Sequence, residues 1–177
     1  FSAKINLGAV HSRGEHLLLL NDDMEVIEPD WLQRLVIYSQ LPGVGAVGGR
    51  LLWQDGRLQH VGIQFVHGLP GHLHHGFPGD FKGYANNVVI AQNYMAVTGA
   101  CLMTRRDVFE RLGGLTSTFP INYNDMDYCL KVVADGLRVV YDPDTVLYHF
   151  ESSSRSTEVE DWEKEQFLAR WLPLTGV

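Results

Sequence analysis

The stretch LLLLNDDMEV, residues 17–26, constrains the fold most. Four consecutive leucines read as a strand buried on both faces, His16–Leu20, and that run stops abruptly at Asn21, Asp22 and Asp23. Carboxylates are costly to bury unpaired, so two in succession at the mouth of an apolar strand need a purpose. Either they cap a turn or they hold a cation.

The surrounding sequence alternates helical and extended patterns. Ser2 can cap a helix running to about Ser12, with Gly14 to end it. Pro29 suits the first position of a second helix, whose apolar face is Trp31, Leu32, Leu35, Val36 and Tyr38 and which should stop near Pro42 and Gly43. VGAVGGRLLW (44–53) reads as a strand, and the Asp55-Gly56 turn leads into RLQHVGIQFV. AVTGACLMTR (96–105) reads as a strand entering a short helix that Gly113 and Gly114 stop. Asn122 or Asn124 can cap the next helix, with Met126, Cys129, Leu130 and Val133 inward and Gly136 at its end. LRVVYD and TVLYHF read as two short strands, and a charged amphipathic helix is expected from about Glu158 to Trp171. Strands mixed with helices at this spacing indicate a single α/β domain, and 177 residues are enough for its core.

Composition excludes several classes. A net charge of −7 leaves no basic cluster for a polyanion, so nucleic acid is not an expected partner. No apolar run reaches the roughly 20 residues of a membrane-spanning helix, and the expected location is cytoplasmic, with any membrane association supplied by other parts of a parent protein. Cys101 and Cys129 lie in apolar sequence and read as buried free thiols.

Three polar groups can carry chemistry. In an open α/β sheet ligands gather at the carboxyl ends of strands, where Asp22 and Asp23 lie; Mg²⁺ or Mn²⁺ suits such oxygen-rich turns, with substrate phosphates completing the coordination. In NYNDMDYCLK, Asp127 and Lys131 are spaced for a helix-surface ion pair. Asp125 falls in the first helical turn, where the dipole favours its anion and fits it for a general base. His149 ends the last strand, and a Ser-rich segment follows it. A fourth feature is the segment from His67 to Asn87, with five glycines, two prolines and His67, His72, His74 and His75. It reads as a wall over a cleft, its histidines mostly solvated or hydrogen-bonded, with a zinc site as the rival reading.

Taken in order, AKINLGAVHSRGEHLLLLNDDMEV, AVTGACLMTRRDVFERLGGL and YNDMDYCLKVVADGLRVVYDPDTVLYHFESSSR resemble the family 2 inverting glycosyltransferases of the GT-A fold. The resemblance implies a mixed sheet flanked by helices. It also implies a divalent ion, Mg²⁺ or Mn²⁺, held by Asp23 with Asp22 in support and His149 as a further ligand. Asn21 stands where the first acid of the motif often falls. Asp125 maps onto the base that deprotonates the acceptor hydroxyl, and Asn124 replaces the glutamate that usually precedes it. Thr98, Gly99 and Ala100 map onto the floor of the acceptor and sugar site. The partners implied are a nucleotide-diphosphate sugar and a glycan or lipid-linked acceptor.

In that family the strands that grip the nucleotide precede the acidic motif, and 20 residues precede Asn21 here. The expectation is therefore the metal and acceptor half of the domain, lacking the N-terminal nucleotide-binding strands and inactive alone. Its exposed sheet edge should favour a homo-oligomer. The competing expectations are a non-catalytic carbohydrate-binding or scaffolding module on the same fold, and a zinc-binding module.

Overall fold

A computed structural model describes residues 1–66, 69–150 and 161–175. Its strands in chain order are β1 (His16–Leu20), β2 (Met24–Val26), β3 (Val44–Leu52), β4 (Leu58–His60), β5 (Ile63–Val66), β6 (Leu69–His72), β7 (Gln92–Tyr94), β8 (Cys101–Arg105) and β9 (Arg138–His149). Its helices are α1 (Ser2–His11), α2 (Trp31–Ser39), α3 (Arg106–Arg111), α4 (Asn124–Ala134) and α5 (Asp161–Thr175). Among the described residues, no helix is long and apolar enough to cross a membrane.

The described strands form a mixed sheet in the order β1-β8-β3-β9-β2, with β4 on β3 and β7 on β9; β5 and β6 make a separate hairpin. Only the β3–β9 pairing is parallel. Alternation along the strands sends side chains into two layers. Leu17, Leu19, Leu102, Val139 and Tyr141 join Phe109, Tyr128, Cys129, Leu130 and Phe167 on one side. Met103, Val47, Val140 and Leu147 meet Leu35 of α2 on the other, where Leu18 packs against them. The leucine run therefore serves both layers, although Leu20 at its end is exposed.

Several expectations change in detail. Neither Ser2 nor an asparagine caps its helix: Ser2 is buried and its hydroxyl donates to Phe119 O at 2.6 Å. The N-cap of α4 is Tyr123, in the left-handed region with φ +58. On α4 it is Val132, not Val133, that turns inward; Val133 is exposed. The helix after Pro29 starts later, at Trp31, and Leu32 is exposed.

LRVVYD and TVLYHF are one strand. Gly49 pairs with Asp142 and Arg50 with Val146, so Pro143, Asp144 and Thr145 bulge out of the ladder. Asp142 accepts the Thr145 hydroxyl at 2.7 Å and lies 3.4 Å from Arg34 Nε of α2, which holds the bulge closed. The strand expected over 96–105 begins only at Cys101, because Thr98, Gly99 and Ala100 form a turn in which Cys101 N donates to Thr98 O. The helix expected from Glu158 starts at Asp161 in the described residues; residues 158–160 lie outside them.

A cleft between the acidic turn and the start of α4

The turn after β1 owes its place to backbone pairing on both sides. Asn21 N donates to Ala100 O at 3.0 Å, and Phe150 N donates to Asp23 O at 2.9 Å. Met24 then pairs with His149 across β2 and β9. An apolar strand followed by a polar turn and a short returning strand thus brings Asp23 beside the end of β9. His149 Nε2 lies 3.3 Å from Asp23 Oδ1 and 3.2 Å from Asn21 Nδ2. Asp22 is exposed in the turn and is not drawn into this pair.

The Thr98–Ala100 turn is the second support. Gly99 N donates to Asp125 Oδ2 at 2.7 Å, and Asp125 Oδ1 accepts Met126 N at 2.8 Å. A carboxylate with one oxygen on each of two amide donors, at the N-terminal turn of an 11-residue helix, is held in one orientation. A side chain at Gly99 would place its Cβ 3.2 Å from Asp125 Cβ, so glycine is what lets the turn approach the helix.

These two supports line one cleft of about 410 Å³, whose walls include Asn21, Thr98, Gly99, Ala100, Asn124, Asp125 and His149. The residues expected at the floor and at the helix start are therefore brought together with His149. Asp23 reaches this cleft through its 3.3 Å contact with His149 Nε2. Asn124 is buried and its amide donates to Ile121 O at 2.6 Å, which braces the approach to α4.

The Asp127–Lys131 pair exists at 3.6 Å, but it is not on a helix surface. Asp127 is fully buried and also accepts the Thr116 hydroxyl at 2.5 Å and Trp171 Nε1 at 3.0 Å, with Arg170 Nε 3.3 Å away. It joins α4 to α5 and stays out of the cleft.

The histidine-rich segment is more ordered than a plain wall. His72 ends strand β6, His75 Nδ1 meets Gln59 O at 3.0 Å, and His74 packs against Phe77 and Phe81. His67 lies outside the described residues. Among the described residues no group of three or more His, Cys, Asp or Glu side chains is gathered to hold a metal. The Asp23 and His149 pair suits a divalent ion. Hard divalent cations are commonly held by one or two protein groups while phosphates and water fill the rest, so a carboxylate beside an imidazole is a fitting donor set for Mn²⁺ or Mg²⁺.

Two site residues escape the sequence reading, and both lie in β4. Gln59 Oε1 is 2.7 Å from His149 Nδ1, and His60 Nε2 accepts Thr98 N at 3.3 Å. Burial, with His72, His149 and His75 nearby, pushes the His60 pKa well below its ordinary value, so His60 is a neutral acceptor. The available signal was two polar residues inside a strand whose neighbours Leu58 and Val61 are core residues.

Glu163 of α5 is a further support missed in the sequence. It is buried, and its carboxylate accepts Ile121 N, Asn122 N and Asn122 Nδ2 at 3.3, 3.2 and 2.7 Å. Phe167 of the same helix stacks on Tyr123 at 4.6 Å. Both contacts fix the residues that lead into Asp125.

The comparisons with known proteins agree with this architecture. Two solved structures share the fold. The mannosyltransferase PcManGT from Pyrobaculum calidifontis, in complex with GDP-Man and Mn²⁺, matches with a TM-score of 0.57 at 18% identity, over 95% of this chain and 41% of that one. GalNAc-T7 with UDP, GalNAc and Mn²⁺ matches with a TM-score of 0.63 at 15% identity, over 82% and 29%. Both are glycosyltransferases of the GT-A fold, and the mixed sheet flanked by helices is that fold. Among curated relatives, the uncharacterized protein y4gI of Sinorhizobium fredii (strain NBRC 101917 / NGR234) is 44% identical over 169 residues, covering 94% of this chain and 19% of its own length. The O-antigen biosynthesis protein RfbC of Myxococcus xanthus is 39% identical over 179 residues, covering 97% and 14%. The chain thus spans between about a seventh and a fifth of the length of these relatives. Since the model of the family described as "Glycosyltransferase like family 2" matches residues 1–172, nearly the whole chain, this protein belongs to that glycosyltransferase family.

Proposed function

We propose that the cleft is the metal and acceptor side of a metal-dependent inverting glycosyltransferase. The reaction is transfer of a sugar from a nucleotide-diphosphate sugar to a hydroxyl of a glycan or lipid-linked acceptor, by direct displacement. The observation that carries this reading is one cleft lined both by Asp125, an oriented carboxylate, and by His149, paired with Asp23. Family membership, the nucleotide and Mn²⁺ complexes of the two fold neighbours, and the O-antigen role printed for the Myxococcus relative all support it.

Each residue has one task. Asp125 accepts the proton of the attacking hydroxyl on a carboxylate oxygen as the new glycosidic bond forms. The amides of Gly99 and Met126 hold that carboxylate in line. Asp23 and His149 would hold the ion, with Asp22 as an outer support in the turn and Asn21 beside the imidazole. When bound, Mg²⁺ or Mn²⁺ supplies neutralisation of the charge that develops on the leaving diphosphate. Thr98, Gly99 and Ala100 form the floor, and Asn124 braces the helix start against Ile121 O. One displacement at the anomeric carbon inverts its configuration.

The test is made in the full-length protein. Asp125→Asn should lower turnover by about 10² or more while leaving nucleotide-sugar affinity within about threefold, and Asp23→Ala should abolish the Mn²⁺-supported activity. The product anomer, read by NMR, should be opposite to that of the donor. Full activity in both variants would overturn the reading and favour a carbohydrate-binding module on the same fold.

A further inference from the structure

The short strand β4 carries Gln59, which no part of the proposed reaction uses, in direct contact with His149. Gln59 is 5% exposed, and its backbone carbonyl also receives His75 Nδ1, so its place is fixed by main chain and side chain together. Its Oε1 lies 2.7 Å from His149 Nδ1. An amide oxygen can only accept, so a bond of that length requires the proton on Nδ1. In a neutral ring the other nitrogen, Nε2, is then bare.

That bare nitrogen faces two groups. Asn21 Nδ2, a donor, is 3.2 Å away and suits a lone pair. Asp23 Oδ1, an acceptor, is 3.3 Å away and does not. Two acceptors at that separation repel unless a proton or a cation lies between them, and a divalent ion held by both is one arrangement that satisfies the pair. A ligating histidine generally has its other ring nitrogen tied by just such a partner, which sets its tautomer and its orientation.

We propose that Gln59 is a positioning residue that sets the tautomer of His149 and so aims its Nε2 lone pair, with Asp23, at a shared divalent ion. The inference rests on the reading of Asp23 and His149 as an ion-binding pair. Glutamine serves here because it accepts without carrying charge.

Long-range proton–nitrogen correlation spectra of the histidine-labelled chain, at about pH 8 where an ordinary imidazole is neutral, read the tautomer without any metal. The His149 signal is identified by its loss in His149→Ala. The expected wild-type form carries its proton on Nδ1. Gln59→Met, close in length but lacking the acceptor, should move the ring to the Nε2–H form, and Gln59→Glu should keep Nδ1 protonated. A wild-type ring with its proton on Nε2, donating to Asp23, overturns the proposal; so does a folded Gln59→Met variant with an unchanged tautomer. If Gln59→Met does not fold, the wild-type and Gln59→Glu spectra still decide between the two forms.

Mn²⁺ alone, followed by its paramagnetic resonance signal, is the second probe. Gln59→Met should weaken binding by about 10–100-fold, and His149→Ala by at least as much. Weakening in His149→Ala without weakening in Gln59→Met overturns the positioning role. Mn²⁺ behaving alike on the wild type and His149→Ala, whatever the tautomer, overturns the ion-binding reading instead.

Discussion

Gly99 shows how closely the site is drawn at the scale of single residues. A methyl group there would sit 3.2 Å from Asp125 Cβ and 3.6 Å from its Oδ2, tight enough to push the carboxylate by a few tenths of an ångström and to strain its 2.7 Å bond to Gly99 N. Gly99→Ala should therefore lower kcat by about tenfold or more while the melting temperature changes little, since catalysis is sensitive to small misplacement. Full activity in that variant would mean the turn does not hold the base. His60 makes a separate prediction about pH. Its folded pKa is depressed, chiefly by burial and then by His72, His149 and His75, so below the ordinary value of 6.5 the unfolded chain binds the extra proton and the folded chain does not. Stability should thus fall as pH drops below that value, by up to about 1.4 kcal/mol per pH unit for this one group, and be insensitive to it above. His60→Gln should flatten the slope in urea titrations between about pH 5 and 6.5; equal slopes in the two proteins would refute the assignment. Asp125 and His149 were legible as candidates because polar residues interrupt apolar sequence at element ends, whereas the Thr98–Ala100 turn was hidden inside what reads as one strand over 96–105. Gln59 and His60 were not legible, because inside a strand a polar residue that faces a partner looks the same as one that faces water.

Elements show the same limit from the other side. β1, β3, α2 and α3 follow their periodicity and their glycine or proline stops, and the sequence reading finds them nearly in place. β9 reads as two strands because Asp142, Pro143 and Asp144 look like a turn, and the pairing with β3 on both sides, with the Arg34 contact from a distant helix, shows that the segment is a bulge within one strand. The role of α5 is likewise a matter of contacts that local sequence does not encode. Asp127 reads as half of a surface ion pair, yet Trp171 and Arg170 of α5 close over it. Its removal should be costly. Asp127→Ala leaves Lys131 in a buried setting that already lowers its pKa, chiefly through desolvation, and also strips Trp171 and Thr116 of their acceptor. The expected loss is about 3–5 kcal/mol in urea-unfolding free energy, as for other buried pairs broken on one side. Asp135→Ala, which breaks the half-exposed pair with Arg111, should cost no more than about 1 kcal/mol. Similar losses in the two variants would mean that α5 does not seal Asp127.

The whole molecule has an uneven perimeter. β1 pairs with β8 on one side, and no strand among the described residues pairs with its other side. Asn21 N and Glu15 O both point to the β8 side, through bonds to Ala100 O and from Arg106 N. By the alternation of an antiparallel ladder, the backbone groups of Leu18 and Leu20 then point outwards. Leu20 adds 43% exposure of an apolar side chain at the same edge. Unpaired strand edges of this kind template association with another chain, and the net charge of −7 spread over the surface opposes it only through a screened, long-range repulsion. The chain in isolation should accordingly run as a dimer in light scattering, more completely at high salt. Leu20→Lys should return it to a monomer, since a lysine on an edge strand must be desolvated for the strands to meet. Its effect on stability should stay within about 0.5 kcal/mol, because the site is exposed. A wild-type monomer at all concentrations tested would show that the edge is protected by something other than a second strand. A Leu20→Lys dimer would place the contact elsewhere. In either case the leucine run that first indicated an interior strand would be interior on its two faces but not along its edge.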